Sequence, residues 1–281
     1  MKLQDKNIVI TGASRGLGLA IAQRCHDEGA NLVLISRTKP DLISKRIRWF
    51  KCDLSKEEKT SSVCLRLTTA FPIVHALINN AAIQGQINNT WMLSSKEWHK
   101  AIQTNLTAPF QLMRILIPKM KIGSKIINLS GGGAVSPRPM FSPYAVSKTG
   151  LVRLSENLAE ELKEIGIDVN CVSPGIMYSN MTEETLVAGI DLVGKEEYQK
   201  AQRVKERNPS VSSDAINLAM FLLSEESNGI TGKTMSAMWD NWEDILRIKQ
   251  KIIESNVYTL RRLTARDCRG IPNSLDKNYG R

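Results

Sequence analysis

Aromatic residues, histidines and long apolar stretches are scarce in this 281-residue chain, which has five each of Phe, Tyr and Trp and three His. No apolar run approaches the roughly 20 residues that span a bilayer, and the N-terminus lacks the charged-then-apolar pattern of a secretory signal. The cysteines, Cys25, Cys52, Cys64, Cys171 and Cys268, are odd in number and scattered without metal-ligand spacing. These absences argue against a metal centre and a disulfide framework, and the expectation is a cytoplasmic protein with structural thiols. The formal net charge is +10. Yet with few aromatics and no helix-turn-helix, zinc or RNA-recognition pattern, no nucleic-acid partner is expected. Part of the positive charge suits anionic small molecules instead.

What is present is alternation of strands and helices. With 42% hydrophobic and 23% charged residues, the chain can bury one substantial core. Apolar, β-branched runs predict strands at Asn7 to Thr11, Asn31 to Ile35, Ile47 to Cys52, Val74 to Asn79, Lys125 to Leu129, Ile167 to Val172 and Lys233 to Ala237. Helical spacing predicts helices from Gly16 to Gly29, from a Ser55 cap to about Ala70, from about Glu97 to Met120, and from Ser142 to Ile165. Pro40 leaves the connection from Arg37 to Arg46 short or irregular. Strands and helices in βα order imply a doubly wound parallel sheet, a three-layer αβα Rossmann fold.

Two segments carry the chemistry. Thr11-Gly12-Ala13-Ser14-Arg15-Gly16-Leu17-Gly18 joins the first strand to the first helix. There glycines let backbone approach a pyrophosphate, and the helix N-terminus offers free N–H groups to the anion. The second strand leads to Ser36 and Arg37, where an acidic residue would grip a ribose 2′-OH and repel a 2′-phosphate. None is present. Arg37 and Arg15 offer guanidinium donors suited to phosphate, so the expected cofactor is NADP(H). Downstream, Tyr144 and Lys148 are i and i+4 and share a helix face. A neighbouring ammonium favours phenolate, and pulls the tyrosine pKa of about 10 toward neutrality.

Together with Asp53, Asn79-Asn80-Ala81-Ala82, Asn105 and Pro174-Gly175, these motifs occur in the order and spacing of the short-chain dehydrogenase/reductase family, which the chain resembles from about Lys6 to Thr234. The resemblance implies a cofactor site of Gly12, Ser14, Arg15, Gly16, Leu17 and Gly18 at the pyrophosphate. Arg37 joins them, Asp53 holds the adenine amino group beside Leu54, and Asn79 and Ala81 steady the turn near the cofactor ribose. It also implies Pro174, Gly175 and Ile176 at the nicotinamide, with Ser179 where the family often has a threonine. Tyr144 is then the proton donor, Lys148 a partner of the nicotinamide ribose, and Asn105 the holder of a relay water.

One position departs from the pattern. The family serine thirteen residues before the tyrosine, which orients the substrate carbonyl, falls here on Gly131. Ser130, Ser136, Ser142 or backbone N–H groups of Gly131-Gly132-Gly133 are the candidate replacements, Ser130 being the favoured side chain. An enlarged cavity for a bulky substrate is a further reading.

Residues 1–238 are expected to form the Rossmann domain, with a helical lid at about 177–209 in which Met177, Tyr178, Met181 and Tyr198 line the pocket. Arg138 and Met140 are candidates to face the substrate, Arg138 as a phosphate or carboxylate handle. Residues 239–281 are expected to form a helix and a basic tail broken by Gly270, Pro272 and Gly280. Asp240 caps that helix, Ile245, Leu246, Ile248, Ile252 and Ile253 form its stripe, and Trp239 and Trp242 anchor it. The expected function is NADP(H)-dependent reduction of a carbonyl, or oxidation of the matching alcohol, in a homodimer or homotetramer. A looser resemblance to reductases of bacterial surface-sugar pathways suggests a sugar or nucleotide-sugar substrate. The competing reading is a catalytically impaired NADP(H)-binding protein acting through a protein partner.

Overall fold

The computed structural model describes residues 2–207, 211–263 and 267. Seven strands form one parallel sheet in the order β3-β2-β1-β4-β5-β6-β7. They are β1 (Asn7–Thr11), β2 (Asn31–Ser36), β3 (Ile47–Lys51), β4 (Ala76–Asn79), β5 (Lys125–Leu129), β6 (Asp168–Ser173) and β7 (Thr234–Ser236). The period-two alternation of side chains divides the central strands between two cores. Ile8, Ile10, Leu32, Leu34, Ile127 and Leu129 meet α1 (Gly16–Asp27) and α9 (Ser213–Leu223). Val9, Val33, Ile35 and Ile126 meet α2 (Glu57–Ala70), α4 (Ala108–Leu116) and α5 (Ser142–Glu161) on the other face. The doubly wound α/β/α architecture follows from that division, and the link from β2 to β3 crosses without a helix, as Pro40 suggested.

Strand order reverses at β1, which has β2 on one side and β4 on the other. In doubly wound sheets the crevice beyond the carboxyl ends at such a reversal is where ligands bind. A line of polar groups crosses the core below it. Asn79 Nδ2 donates to Asn128 Oδ1 (2.8 Å), Asn128 Nδ2 to Ser155 Oγ (2.8 Å), and Cys171 Sγ to the same hydroxyl (3.2 Å).

Several boundaries differ from the sequence reading for local reasons. The helix from Glu97 to Met120 is not continuous. It comprises α3 (Ser95–Ile102), a π turn at Gln103–Thr107, α4, and a 3₁₀ turn at Ile117–Lys119. Residue 109 is proline, which has no N–H to donate to the Asn105 carbonyl four residues earlier, and the helix widens there. Ser55 does not cap α2, because its hydroxyl and N–H both donate to Asp53 Oδ1 (2.8 and 3.1 Å), leaving Lys56 at the N-cap.

Near the C-terminus, Asp240 accepts the Ser236 N–H (2.6 Å) and caps no helix. A 3₁₀ segment, Trp242–Ile248, precedes the short α10 (Lys249–Glu254). With three residues per turn in place of 3.6, the expected stripe breaks up. Trp242 packs on Phe221 and Ile245 and Ile252 are buried, whereas Leu246, Ile248 and Trp239 are exposed. Pro209, Cys268, Gly270, Pro272 and Gly280 lie outside the described residues. Cys25, Cys52, Cys64 and Cys171 are free and buried. Among the described residues, no helix is long and apolar enough to cross a membrane.

Candidate active site

The turn after β1 is built by contacts with the segment after β4. Gly12 (φ +66°) leaves no room for a side chain, since a Cβ there would lie 2.8 Å from both Ala81 Cα and Asn80 Nδ2. A Cβ on Gly18 would overlap the Gly12 carbonyl oxygen. These two glycines are therefore packing requirements. Gly16 is different: its φ is +55°, and a Cβ would meet nothing within 4 Å. The N-terminus of α1 behind it has neither a side-chain cap nor an acidic residue in its first turn. Open space above uncapped N–H groups fits a pyrophosphate.

Asn80 bolts this cradle together. Its amide donates to the carbonyls of Thr11 (3.0 Å) and Gly12 (3.1 Å), and the N–H groups of Asn80 and Ala81 donate to Thr11 Oγ1 (3.0 and 3.1 Å). The sequence reading gave this steadying role to Asn79 and Ala81. Ala81 contributes through backbone, whereas Asn79 lies inside β4 opposite Asn128, to which its Nδ2 donates, while its buried Oδ1 has no partner among the described residues. The Asn-Asn pair offered the right motif, and strand pairing decides which member reaches the turn.

Around the nucleotide end, Arg15 and Arg37 are exposed and Leu54 is buried. Partial burial works to raise the Asp53 pKa. The Ser55 hydrogen bonds and the charges of Arg37 and Lys56 outweigh it, and hold the carboxyl below its ordinary value. Pro174 and Gly175 (φ +84°) follow β6, with the Met238 side chain packed against Gly175, and Ile176 is exposed. Ser179 precedes α6 (Asn180–Ala188), and its N–H donates to Thr182 Oγ1 (3.3 Å).

Tyr144 and Lys148 lie buried in the first turns of α5. The Tyr144 ring approaches Gly131 so closely that a Cβ at 131 would overlap its hydroxyl and lie 3.2 Å from Cζ. No described hydrogen bond uses the phenol. Lys148 Nζ donates to the Leu129 carbonyl (2.5 Å) and stands 5.8 Å from the centre of the Tyr144 ring. Burial pushes the Lys148 pKa down to about 8. Burial likewise raises the Tyr144 pKa, and the charge opposing this is the Arg138 guanidinium. The sequence reading assigned that task to Lys148, whose ammonium is instead turned to the backbone of β5.

Asn105, fully buried in the π turn, exchanges hydrogen bonds with the Ile83 backbone (2.9 and 2.8 Å) and donates to Ser147 Oγ (3.0 Å). Ser130 is buried, and its hydroxyl has no partner among the described residues. Ser142 is bonded to Thr90 (2.6 Å) and Ser136 is exposed.

The segment after β6 carries α6, α7 (Ile190–Val193) and α8 (Lys195–Arg207). Gln84, buried, donates to Met181 O and Thr185 Oγ1 (both 3.3 Å) and ties α6 to the strand ends. Met177 packs on the α1/α9 core, and the Tyr178 hydroxyl donates to Glu183. Arg138 is not a free anion handle, since it forms a two-pronged pair with Glu197 of α8 (3.1 and 3.3 Å). A cavity of about 440 Å³ near Lys6, His75 and Lys125 lies at the N-terminal ends of the strands, the edge opposite Tyr144.

The short chain dehydrogenase family matches residues 6–187, which span the glycine cradle, Asn105, Tyr144 and Lys148. The chain belongs to this family. It is 30% identical over 246 residues to "Dehydrogenase/reductase SDR family member 4" of Sus scrofa, covering 83% of this chain and 86% of that protein. It is 28% identical over 243 residues to a 3-oxoacyl-[acyl-carrier-protein] reductase of Staphylococcus epidermidis, covering 82% and 96%. Solved structures share the fold. A short chain dehydrogenase family protein of Francisella tularensis has a TM-score of 0.72 at 20% identity, covering 83% of this chain and 96% of that one. The ligand-free aldohexose dehydrogenase of Thermoplasma acidophilum has a TM-score of 0.70 at 23% identity, covering 83% and 92%. Membership implies oxidoreductase chemistry with a nicotinamide dinucleotide, and the open, uncapped cradle at Gly16 fits that group.

Proposed function

We propose that the chain is an NADP(H)-dependent carbonyl reductase, or dehydrogenase of the matching secondary alcohol, acting through Tyr144. The observation that carries this reading is a buried tyrosine whose hydroxyl has no hydrogen-bond partner among the described residues, one helical turn from a buried lysine. A bound nicotinamide supplies the hydride. Gly12, Ser14, Arg15, Gly16, Leu17 and Gly18 hold the pyrophosphate end, Asp53 and Leu54 the adenine, and Ala81 the neighbouring ribose. Asn79 sets β4 against β5 beside it. Pro174, Gly175, Ile176 and Ser179 hold the nicotinamide end. Arg15 and Arg37 select a 2′-phosphate, there being no carboxylate at the end of β2 to repel it.

Tyr144 donates its proton to the carbonyl oxygen as charge develops there, or removes it in the reverse direction. Lys148, held by the Leu129 carbonyl, orients the cofactor ribose and supplies positive charge below its pKa of about 8. Asn105 occupies a break in the helical ladder, where backbone left free by Pro109 suits a relay water. Ser130, whose buried hydroxyl lacks a partner, is the side-chain donor to the substrate oxygen in place of the family serine. Exposed Phe110 on α4 and Val146 on α5 support assembly as a homodimer or homotetramer.

The test is oxidation of NADPH and NADH against keto-sugars, nucleotide keto-sugars, 3-oxoacyl thioesters and simple ketones, with Tyr144→Phe in parallel. Turnover of a sugar substrate supports the sugar reading, and turnover of another carbonyl replaces it while leaving the reaction class intact. Tyr144→Phe is expected to lower kcat about a thousandfold with NADPH affinity retained. NADPH binding without turnover of any carbonyl favours the impaired binding protein.

A further inference from the structure

The loop between β5 and α5 makes a β-turn in which the Ala134 N–H donates to the Gly131 carbonyl (3.2 Å). Gly133, at its third position, has φ +95°. The turn touches three side chains at once. Tyr144 lies against Gly131, while Arg138 Cβ and Ala145 Cβ flank Gly133, a Cβ there standing 3.2 and 3.1 Å from them. From this seat the Arg138 guanidinium lies 3.8 Å from the centre of the Phe141 ring. Phe141 is fully buried and forms the N-cap of α5, three residues before Tyr144. The other side of the guanidinium meets Glu197 of α8 through two hydrogen bonds. Arg138 thus joins three things that no other described side chain connects: the turn under the phenol, the start of the helix that carries it, and the segment folded over the site.

We propose that Arg138 is a positioning residue for Tyr144: held by Glu197, it braces the turn under the phenol and the start of α5, and keeps a positive charge on that side of the site. This deepens the reductase reading and rests on Tyr144 being its proton donor. The charged groups around the phenol come from three elements: Arg138 from the loop, Lys148 from α5 itself, and Glu197 of α8, whose carboxylate offsets part of the Arg138 charge. Lys148 is committed to the Leu129 carbonyl. Arg138 is held by a side chain of α8. Its effect has one direction: a cation near a buried phenol favours the phenolate and offsets the cost of burial. A stacked, forked guanidinium also resists the reorientation an ammonium would undergo.

The experiment reads Tyr144 directly, as the phenolate absorbance that the full-length protein shows on alkaline titration and Tyr144→Phe lacks. This signal exists whether or not a substrate has been found. Arg138→Met is expected to move the Tyr144 titration to higher pH. Glu197→Gln removes the clasp together with the carboxylate that opposes the Arg138 charge, so the clasp is read from kcat, which should fall and be partly restored by Glu197→Asp. Arg138→Lys should restore much of the Arg138→Met shift. With an active substrate, Arg138→Met should lower kcat about tenfold, move the alkaline limb of carbonyl reduction upward, and leave NADPH affinity unchanged. A loss confined to KM would instead make Arg138 a substrate contact. An unmoved titration in folded Arg138→Met overturns the proposal, as does an unchanged kcat in folded Glu197→Gln. Failure of the reductase reading shows separately, as equal turnover by wild type and Tyr144→Phe.

Discussion

Two glycine turns follow two strands of the same sheet, and they use glycine for opposite ends. In the turn after β1, Gly12 and Gly18 are pressed by Ala81, Asn80 and each other, and only Gly16 opens to the outside. In the run after β5, Gly131 makes room for the Tyr144 phenol, and a Cβ on Gly132 would meet nothing within 4 Å. The first turn is a rigid scaffold closed by its own packing. The second is a seat whose shape has meaning only with the tyrosine in it. A glycine motif is therefore read by what would occupy the missing Cβ.

The strongest test of this contrast is to restore the side chain at the second turn. Gly131→Ser adds the hydroxyl that the sequence resemblance expects here, yet its Cβ falls on the Tyr144 hydroxyl. The expected result is a fall in kcat of about a hundredfold, as displacement of a reacting group by about 1 Å produces, with NADPH affinity nearly unchanged. A rise in kcat would show that the seat tolerates a side chain. At the first turn, Gly18→Ala should strike stability and coenzyme binding together, because its Cβ meets backbone. A loss of about 1–3 kcal/mol in denaturant unfolding is expected, with weakened NADPH binding by calorimetry.

Lys148→Met separates the site from the scaffold by pH. Burial lowers the folded-state pKa of Lys148 from 10.5 to about 8. Below that window both states hold the proton. Within it, the unfolded chain holds more, so stability rises with pH. Urea unfolding at either end of the window should show wild type gaining on Lys148→Met as pH rises, and parallel curves would place the ammonium in contact with water. The smallest effect belongs to Gly132→Ala, which has open space and no positive φ. Turnover should be unchanged and stability gain up to about 1 kcal/mol from reduced unfolded-state entropy.

Most strands were legible because a parallel sheet covered on both faces requires unbroken apolar runs, as in Ile8-Val9-Ile10 and Leu32-Val33-Leu34. The cradle was legible because its glycines, Arg15 and the following helix are contiguous. The break at Asn105 was within reach, since Pro109 removes the donor to its carbonyl. The partner of Arg138 was not, for Glu197 lies 59 residues away and ion pairing at that separation leaves no local periodicity. Nor was the division of labour between Asn79 and Asn80, which depends on the register of β4 with β5. The C-terminal stripe misled because the same apolar residues serve a 3₁₀ segment and an α-helix, and only packing on Phe221 decides between them.

The polar line from Asn79 through Asn128 and Ser155 to Cys171 works as a gauge for strand alignment. Sliding β5 by one residue would turn Asn128 to the opposite face. It would strand an amide among Ile8, Ile10 and Leu218, and cost Asn79 and Ser155 their bonds to Asn128. Apolar side chains alone would tolerate such slippage better, since one branched hydrocarbon replaces another. The glycine cradle hangs from β1 and β4, whereas the Tyr144 seat hangs from β5. Whatever fixes β4 against β5 also fixes the distance between the cradle and the tyrosine, and with it the reach of the proposed hydride and proton transfers.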